Sequence, residues 1–171
     1  MTAETVYTTI DSPLGELLLV GTDSATARGG TALASLSLPG QKGGAVVQDG
    51  WRRSPAAFEE VGRQLTSYFD HGLTHFTLDY TTDGGTDFQR RVWQALEEIP
   101  YGTTATYGEI ARQVGAPRAG VRAVGTAIGR NPLLVVRPCH RVIGSDGALR
   151  GYAGGLASKE HLLGLEGALT S

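Results

Sequence analysis

Short runs of apolar and β-branched residues, set apart by turn residues, fill the first 40 positions of the chain. Val6-Tyr7-Thr8-Thr9-Ile10 reads as a strand, Asp11-Ser12-Pro13-Leu14-Gly15 as a turn, and Leu17-Leu18-Leu19-Val20 as a second strand. Ala32 to Leu38 is a weaker third strand, and Thr22–Gly30 and Gly40–Gly50 read as loops. The hydrophobic period then lengthens: Phe58, Val61, Leu65, Tyr68 and Phe69 fall on one face of a helix over residues 55–70. A loop rich in Thr, Asp and Gly, Thr81 to Thr86, separates this part from the rest. Two domains are expected, residues 1–85 and 86–171.

The second part is helical and clearly punctuated. Thr86 with Gln89 forms a capping box, opening a helix whose apolar face is Phe88, Val92, Ala95, Leu96 and Ile99 and which ends at Pro100-Tyr101-Gly102. Thr106 with Glu109 forms another, starting a short helix that runs to Val114 and stops at Gly115. After the turn Ala116-Pro117-Arg118, a third helix turns Val121, Val124 and Ile128 inward and Arg118, Arg122 and Arg130 outward. Two short helices joined by a tight turn are a helix-turn-helix pattern. Leu133 to Val136 is expected to run as an extended apolar segment into Arg137-Pro138-Cys139-His140-Arg141.

Composition narrows the class. Hydrophobic residues make up 40% of the 171, charged ones 19%, and the formal net charge is -2, enough apolar material for a core and too little charge for a disordered tail protein. No apolar stretch approaches the length of a membrane span, and the N-terminus lacks the features of a signal peptide, so a cytoplasmic location is expected. The overall charge conceals an asymmetry. Residues 112–150 hold seven arginines (Arg112, Arg118, Arg122, Arg130, Arg137, Arg141 and Arg150) against Asp146 alone. Such a segment is either a footprint for a polyanion or a plain solvated face.

The single cysteine, Cys139, excludes an internal disulfide and a multi-cysteine zinc site. A lone cysteine after an apolar run is most often a buried small hydrophobe. Here Pro138 fixes the backbone before it, and His140, Arg137 and Arg141 are expected to favour a thiolate.

Pro138-Cys139-His140-Arg141-Val142-Ile143 resembles the active-site signature of the O6-alkylguanine-DNA alkyltransferases. Around it stand Arg122-Ala123-Val124-Gly125, Asn131-Pro132, Gly151-Tyr152-Ala153-Gly154-Gly155 and Leu162-Leu163 with Glu166, in the same order as in that family. The likeness is strong over about residues 86–167, and coarse before that.

The resemblance implies an α+β fold: an N-terminal three-stranded antiparallel sheet plus helix, ribonuclease H-like, and a C-terminal helical domain with a winged-helix-like helix-turn-helix. It implies that Cys139 takes the alkyl group permanently, with guanine leaving. His140 would act as base through a water, oriented by Glu166, and Tyr107 would donate to the guanine ring. Asn131 would hold the turn before the active-site segment. Val142, Leu149, Tyr152, Ala153 and Gly154 would form the substrate pocket, with the Cys139 and Val142 carbonyls accepting from the exocyclic amine. The partner implied is double-stranded DNA carrying O6-alkylguanine, bound through the minor groove by Thr106, Arg118, Arg122, Ala123 and Gly125, with Arg122 replacing the flipped nucleotide. No metal and no cofactor are implied; His71, His75 and His161 read as ordinary surface or core residues. O4-alkylthymine as a substrate, the alkyl sizes accepted and cooperative self-association on DNA stay open. Two rival readings also stand: a non-enzymatic helix-turn-helix regulator or lesion-binding protein, and a cysteine hydrolase using Cys139, His140 and Asn131.

Overall fold

Strand β1 (Thr5–Ser12) turns through Pro13-Leu14 into β2 (Gly15–Asp23), and the two pair antiparallel along their whole length. The turn is tight because Gly15 takes φ +100°, which other residues rarely adopt. This computed structural model describes residues 4–23, 30–81, 84–116 and 120–168 of the chain. Strand β3 (Thr31–Ser37) pairs antiparallel with β2 across a bulge at Val20/Gly21. Gly21 is required there, since a Cβ would stand 2.7 Å from the Ala32 carbonyl oxygen.

The sheet has a fourth strand that the pattern did not reveal. β4 (Arg52–Arg53) runs parallel to β1, giving the order β3-β2-β1-β4 in place of three antiparallel strands. Two exposed arginines are too short a run to leave a periodic signal. A 3-10 turn, Pro55–Phe58, then leads into α1 (Glu59–Phe69). Val61, Gln64, Leu65 and Tyr68 are its buried positions, and with Phe58 and the sheet residues Val6, Leu17, Leu19 and Leu33 they form the first core.

The chain divides into two compact units, Met1–Asp83 and Gly84–Ser171. In the second, α2 (Asp87–Glu97) and α3 (Tyr107–Gln113) both begin with complete capping boxes, Thr86 with Gln89 and Thr106 with Glu109. Helix α4 (Val121–Gly129) packs on both. Short strands β5 (Ala105–Thr106) and β6 (Val142–Ile143) pair in parallel, and α5 (Leu156–Leu165) closes the unit. Its core includes Val92, Leu96, Ile110, Val124, Ile128, Leu134 and Leu162. Trp93 joins them and donates its indole N–H to the Ala127 carbonyl at 2.8 Å, tying α2 to α4. No helix among the described residues is long and apolar enough to cross a membrane.

Two expectations fail in this unit. Val121 is 39% exposed, because burial on α4 begins one turn later at Val124. Leu133 to Val136 is not extended: Arg137 N–H bonds the Leu133 carbonyl at 3.0 Å and Val136 N–H the Leu134 carbonyl at 2.7 Å, folding the segment into a turn.

Candidate active site

Asn131 makes that turn. Its Oδ1 accepts from Leu133 N–H at 3.0 Å, and its Nδ2 donates to the carbonyls of Leu133 at 3.3 Å and Arg137 at 3.2 Å. The side chain is buried, so these bonds face no competition from water. They hold Val135 at φ +69°, a conformation that costs a β-branched residue about 1–3 kcal/mol. The turn delivers Pro138 and a short 3-10 segment, Cys139–Arg141, whose three side chains are all buried.

Burial pushes the Cys139 thiol up from 9.0 to about 11, against the opposing pull of the Asn131 amide, the Lys159 ammonium and, more weakly, Arg137. The expected arginine-driven thiolate is therefore corrected. Arg137 lies with its guanidinium 5.3 Å from the Trp93 ring and donates to Asn131 Oδ1 at 3.3 Å. Arg141 is turned away into a two-pronged bond with Glu166, at 2.8 Å and 3.0 Å. Nε2 of His140 lies 2.8 Å from the same carboxylate, bringing together the expected His140 and Glu166. Burial holds the imidazole below its ordinary value of 6.5, with Glu166 pulling the other way. Nδ1 of His140 has no hydrogen bond to any described residue.

Lys159 was missed. It is fully buried on α5, and its Nζ donates to the carbonyls of Val142 and Leu149, each at 2.6 Å, and of Gly151 at 3.0 Å. Desolvation brings the ammonium down to about 8, while Cys139 pulls it up. Its neighbours Ser158, Glu160 and His161 make it read as one more solvated helix charge; no local signal separates it from them.

Cys139 opens onto a cavity of about 430 Å³. Tyr107, Arg122, Gly125 and Ile128 line one part, and Gly151, Tyr152 and Ala153 another. Burial raises the Tyr107 phenol above 10.0, so it keeps its proton, although the neighbouring Gly151 N–H acts in the opposite sense. Three expected pocket residues are not on the wall. The Val142 and Leu149 carbonyls accept from Lys159, and Gly154 lies in the turn closed by Gly155 N–H and the Tyr152 carbonyl.

Arg122 also borders a more open hollow of about 520 Å³, lined by Phe88, Gln89, Ala123 and Thr126 among others. Thr106 uses its hydroxyl to cap α3, accepting from Glu109 N–H at 3.1 Å. Arg118 lies outside the described residues. The basic segment is thus not one uniform face. Arg141 is buried on Glu166, Arg150 pairs with Asp146 at 2.7 Å, and Arg112, Arg122 and Arg130 remain exposed. His71, His75 and His161 are exposed, and no cluster able to hold a metal ion occurs among the described residues.

The architecture is that of a known class of mixed α+β proteins. A solved structure of Mycobacterium tuberculosis OGT in complex with DNA superposes with a TM-score of 0.84 at 46% identity, covering 95% of this chain and 93% of that one. The profile of the 6-O-methylguanine DNA methyltransferase DNA-binding domain matches residues 87–168. The methylated-DNA--protein-cysteine methyltransferase of Mycolicibacterium paratuberculosis is 48% identical over 160 residues, 94% of this chain and 91% of that protein. That of Methanosarcina barkeri is 49% identical over 161 residues, 94% and 96% of the two chains. The chain belongs to the methylated-DNA--protein-cysteine methyltransferase family.

Proposed function

We propose that this protein repairs DNA by direct reversal, moving the alkyl group of O6-alkylguanine onto its own Cys139 in one irreversible turnover. The observation that carries the reading is the buried thiol, opening onto a cavity large enough to take a base and followed in the chain by the histidine of a buried His140–Glu166 pair. Standing as a thiolate at pH 7, a thiol with a value near 11 would cost about 5 kcal/mol, so a base must take the proton as the reaction proceeds. Nε2 of His140 donates to Glu166, and Nδ1 is left as the acceptor. The thiol proton passes to Nδ1 through a bridging water, the sulfur bonds the alkyl carbon, and the carbon–O6 bond breaks with its electrons going to guanine. Tyr107 donates to the departing ring, while the Tyr152-Ala153 backbone N–H meets O6. A thioether has no good leaving group, which makes the transfer stoichiometric.

Double-stranded DNA is the partner, entered from the minor groove, with no membrane involved and a cytoplasmic setting. Flipping the base costs a few kcal/mol, and Arg122, exposed between the two hollows, fills the vacated stack. Thr106, Ala123, Gly125 and Arg118 complete the DNA surface. Residues 1–85 form the N-terminal α/β domain and residues 86–171 the DNA-binding and alkyl-transfer domain. The sheet order with its parallel β4 supports a ribonuclease H-like first domain, and the packed α3 and α4 with the β5–β6 ladder support a winged-helix-like second one. A cysteine hydrolase is disfavoured because Asn131 is occupied with the backbone of its turn, leaving His140 to be oriented by Glu166. A purely binding role is disfavoured by the presence of the acceptor thiol.

The test is to incubate the protein with a duplex containing O6-methylguanine and weigh it. One equivalent of a gain of about 14 Da, one CH2, is expected on the peptide holding Cys139, and none with Cys139→Ser. Repeated turnover, or an acyl adduct in place of the alkyl one, would remove the mechanism.

A further inference from the structure

Glu166 has a second partner, bound more extensively than His140. Arg141 Nε donates to Oε1 at 2.8 Å and Nη2 to Oε2 at 3.0 Å, so Oε2 receives from Arg141 and faces His140 Nε2 at once. The third arm of the guanidinium, Nη1, donates to the Ile99 carbonyl at 2.5 Å, and its carbon stands 5.7 Å from the Tyr101 ring. The side chains of His140 and Glu166 are 0% exposed and that of Arg141 8%. A fork of this kind matches a carboxylate in a way that an ammonium cannot.

We infer that Arg141 is a positioning residue for the transfer: by holding Glu166 ionised it fixes which ring nitrogen of His140 carries the proton, and so keeps Nδ1 able to accept from the thiol. The inference rests on the reading of His140 as the proton acceptor for Cys139.

With Arg141 in place, the buried carboxylate carries a compensated charge and can accept but not donate, so Nε2 must be N–H. Without Arg141 the same buried carboxylate would lose its two-pronged bond to the guanidinium, and the His140–Glu166 pair would take up a proton more readily. That proton has two places to sit. On the ring it makes an imidazolium, with N–H at Nδ1. On Glu166 it turns the acid into a donor to Nε2, which forces the neutral ring to hold its proton at Nδ1. Either way Nδ1 ceases to be an acceptor. The other titratable groups around the ring do not replace Arg141. From α5, Lys159 is committed to three carbonyls; Cys139 is on the same 3-10 segment; and Tyr152 meets the ring edge-on at 6.5 Å between centroids.

The experiment measures transfer from free O6-benzylguanine, which needs no DNA, against pH for the full-length protein and its variants. Nitrogen-15 shifts of the His140 ring are recorded in parallel. The wild type is expected to show the Nε2–H tautomer at neutral pH. In Arg141→Met the acid limb of the rate should move up by about one pH unit, so that below both limbs the variant loses up to about tenfold more than the wild type relative to its own plateau, and Nδ1 should become protonated. Arg141→Lys should stay closer to wild type, and Arg141→Met with Glu166→Gln should return the limb toward lower pH. Where the methionine variant does not fold, Arg141→Gln gives the same reading, since it keeps an amide donor without the charge. A uniform slowing at every pH, with the Nε2–H tautomer retained, would reduce Arg141 to a scaffold residue and overturn the inference. A change of tautomer with no change in the rate profile would overturn His140 as the base and, with it, the inference.

Discussion

Among the described residues, the buried polar side chains of the first unit are Thr8, Thr31, Ser37 and Gln64, all neutral; in the second they are Asn131, His140, Arg141, Lys159 and Glu166, four of them ionisable. Gln64 shows what the first kind does. It exchanges hydrogen bonds with Thr77, accepting from its N–H at 2.9 Å and donating to its carbonyl at 3.1 Å, so it pins the segment after α1 without bringing a charge indoors. The second kind is far more expensive, since each buried ion loses several kcal/mol of hydration before any partner is counted. A fold needing stability alone has cheaper choices of the same volume. Charged groups concentrated around one thiol are explained by chemistry, and polar groups scattered under a sheet by packing.

The contrast can be tested by removing one group from each unit. Lys159→Met deprives three backbone carbonyls of their donor, and the second unit should lose about 2–4 kcal/mol in urea unfolding, with transfer slowed at least about tenfold. A fully active, stable Lys159→Met protein would show that the pocket wall does not depend on the tether. Gln64→Leu should cost about 1–2 kcal/mol, yet leave the transfer rate of the folded protein unchanged. A slower Gln64→Leu would mean that the first unit takes part in the chemistry.

Acid should separate the units more gently. The folded-state value of His140 lies below 6.5, so under pH 6.5 the unfolded chain takes up a proton that the folded one does not. Stability is therefore present in full above that pH and falls as the pH drops. The His140 contribution is at most about 1 kcal/mol between pH 6.5 and 5.5. Hydrogen exchange should show it as faster opening of α5 relative to β2 in the wild type, and the difference should vanish in His140→Gln. An unchanged difference in that variant would place the acid-sensitive group elsewhere.

Local rules made much of this molecule legible. Both capping boxes lie within three residues and were readable at once, as were the stripe on α1 and the three longer strands. Cys139, His140 and Glu166 come from resemblance, and the geometry pairs the last two. What stayed hidden depends on distance along the chain. Lys159 reaches carbonyls 8, 10 and 17 residues earlier, a relation no window of periodicity contains. Arg141 looked like part of a polyanion surface because its carboxylate partner is 25 positions away. The apolar run Leu133–Val136 looked extended because the side chain that folds it belongs to Asn131, whose effect is felt through the backbone.

Gly125 sets a limit on redesign. A Cβ at that position would come within 4.0 Å of the Tyr107 ring, on the wall of the cavity that Cys139 enters. Evolution or an engineer seeking a roomier mouth finds nothing left to trim there, since no smaller residue exists. A larger substituent on a target base has to be accommodated by other lining residues, such as Thr126 and Ile128 on α4 or Tyr152 and Ala153 beside the turn closed by Gly155. The variation that tunes adduct size therefore belongs at those lining positions and not at Gly125.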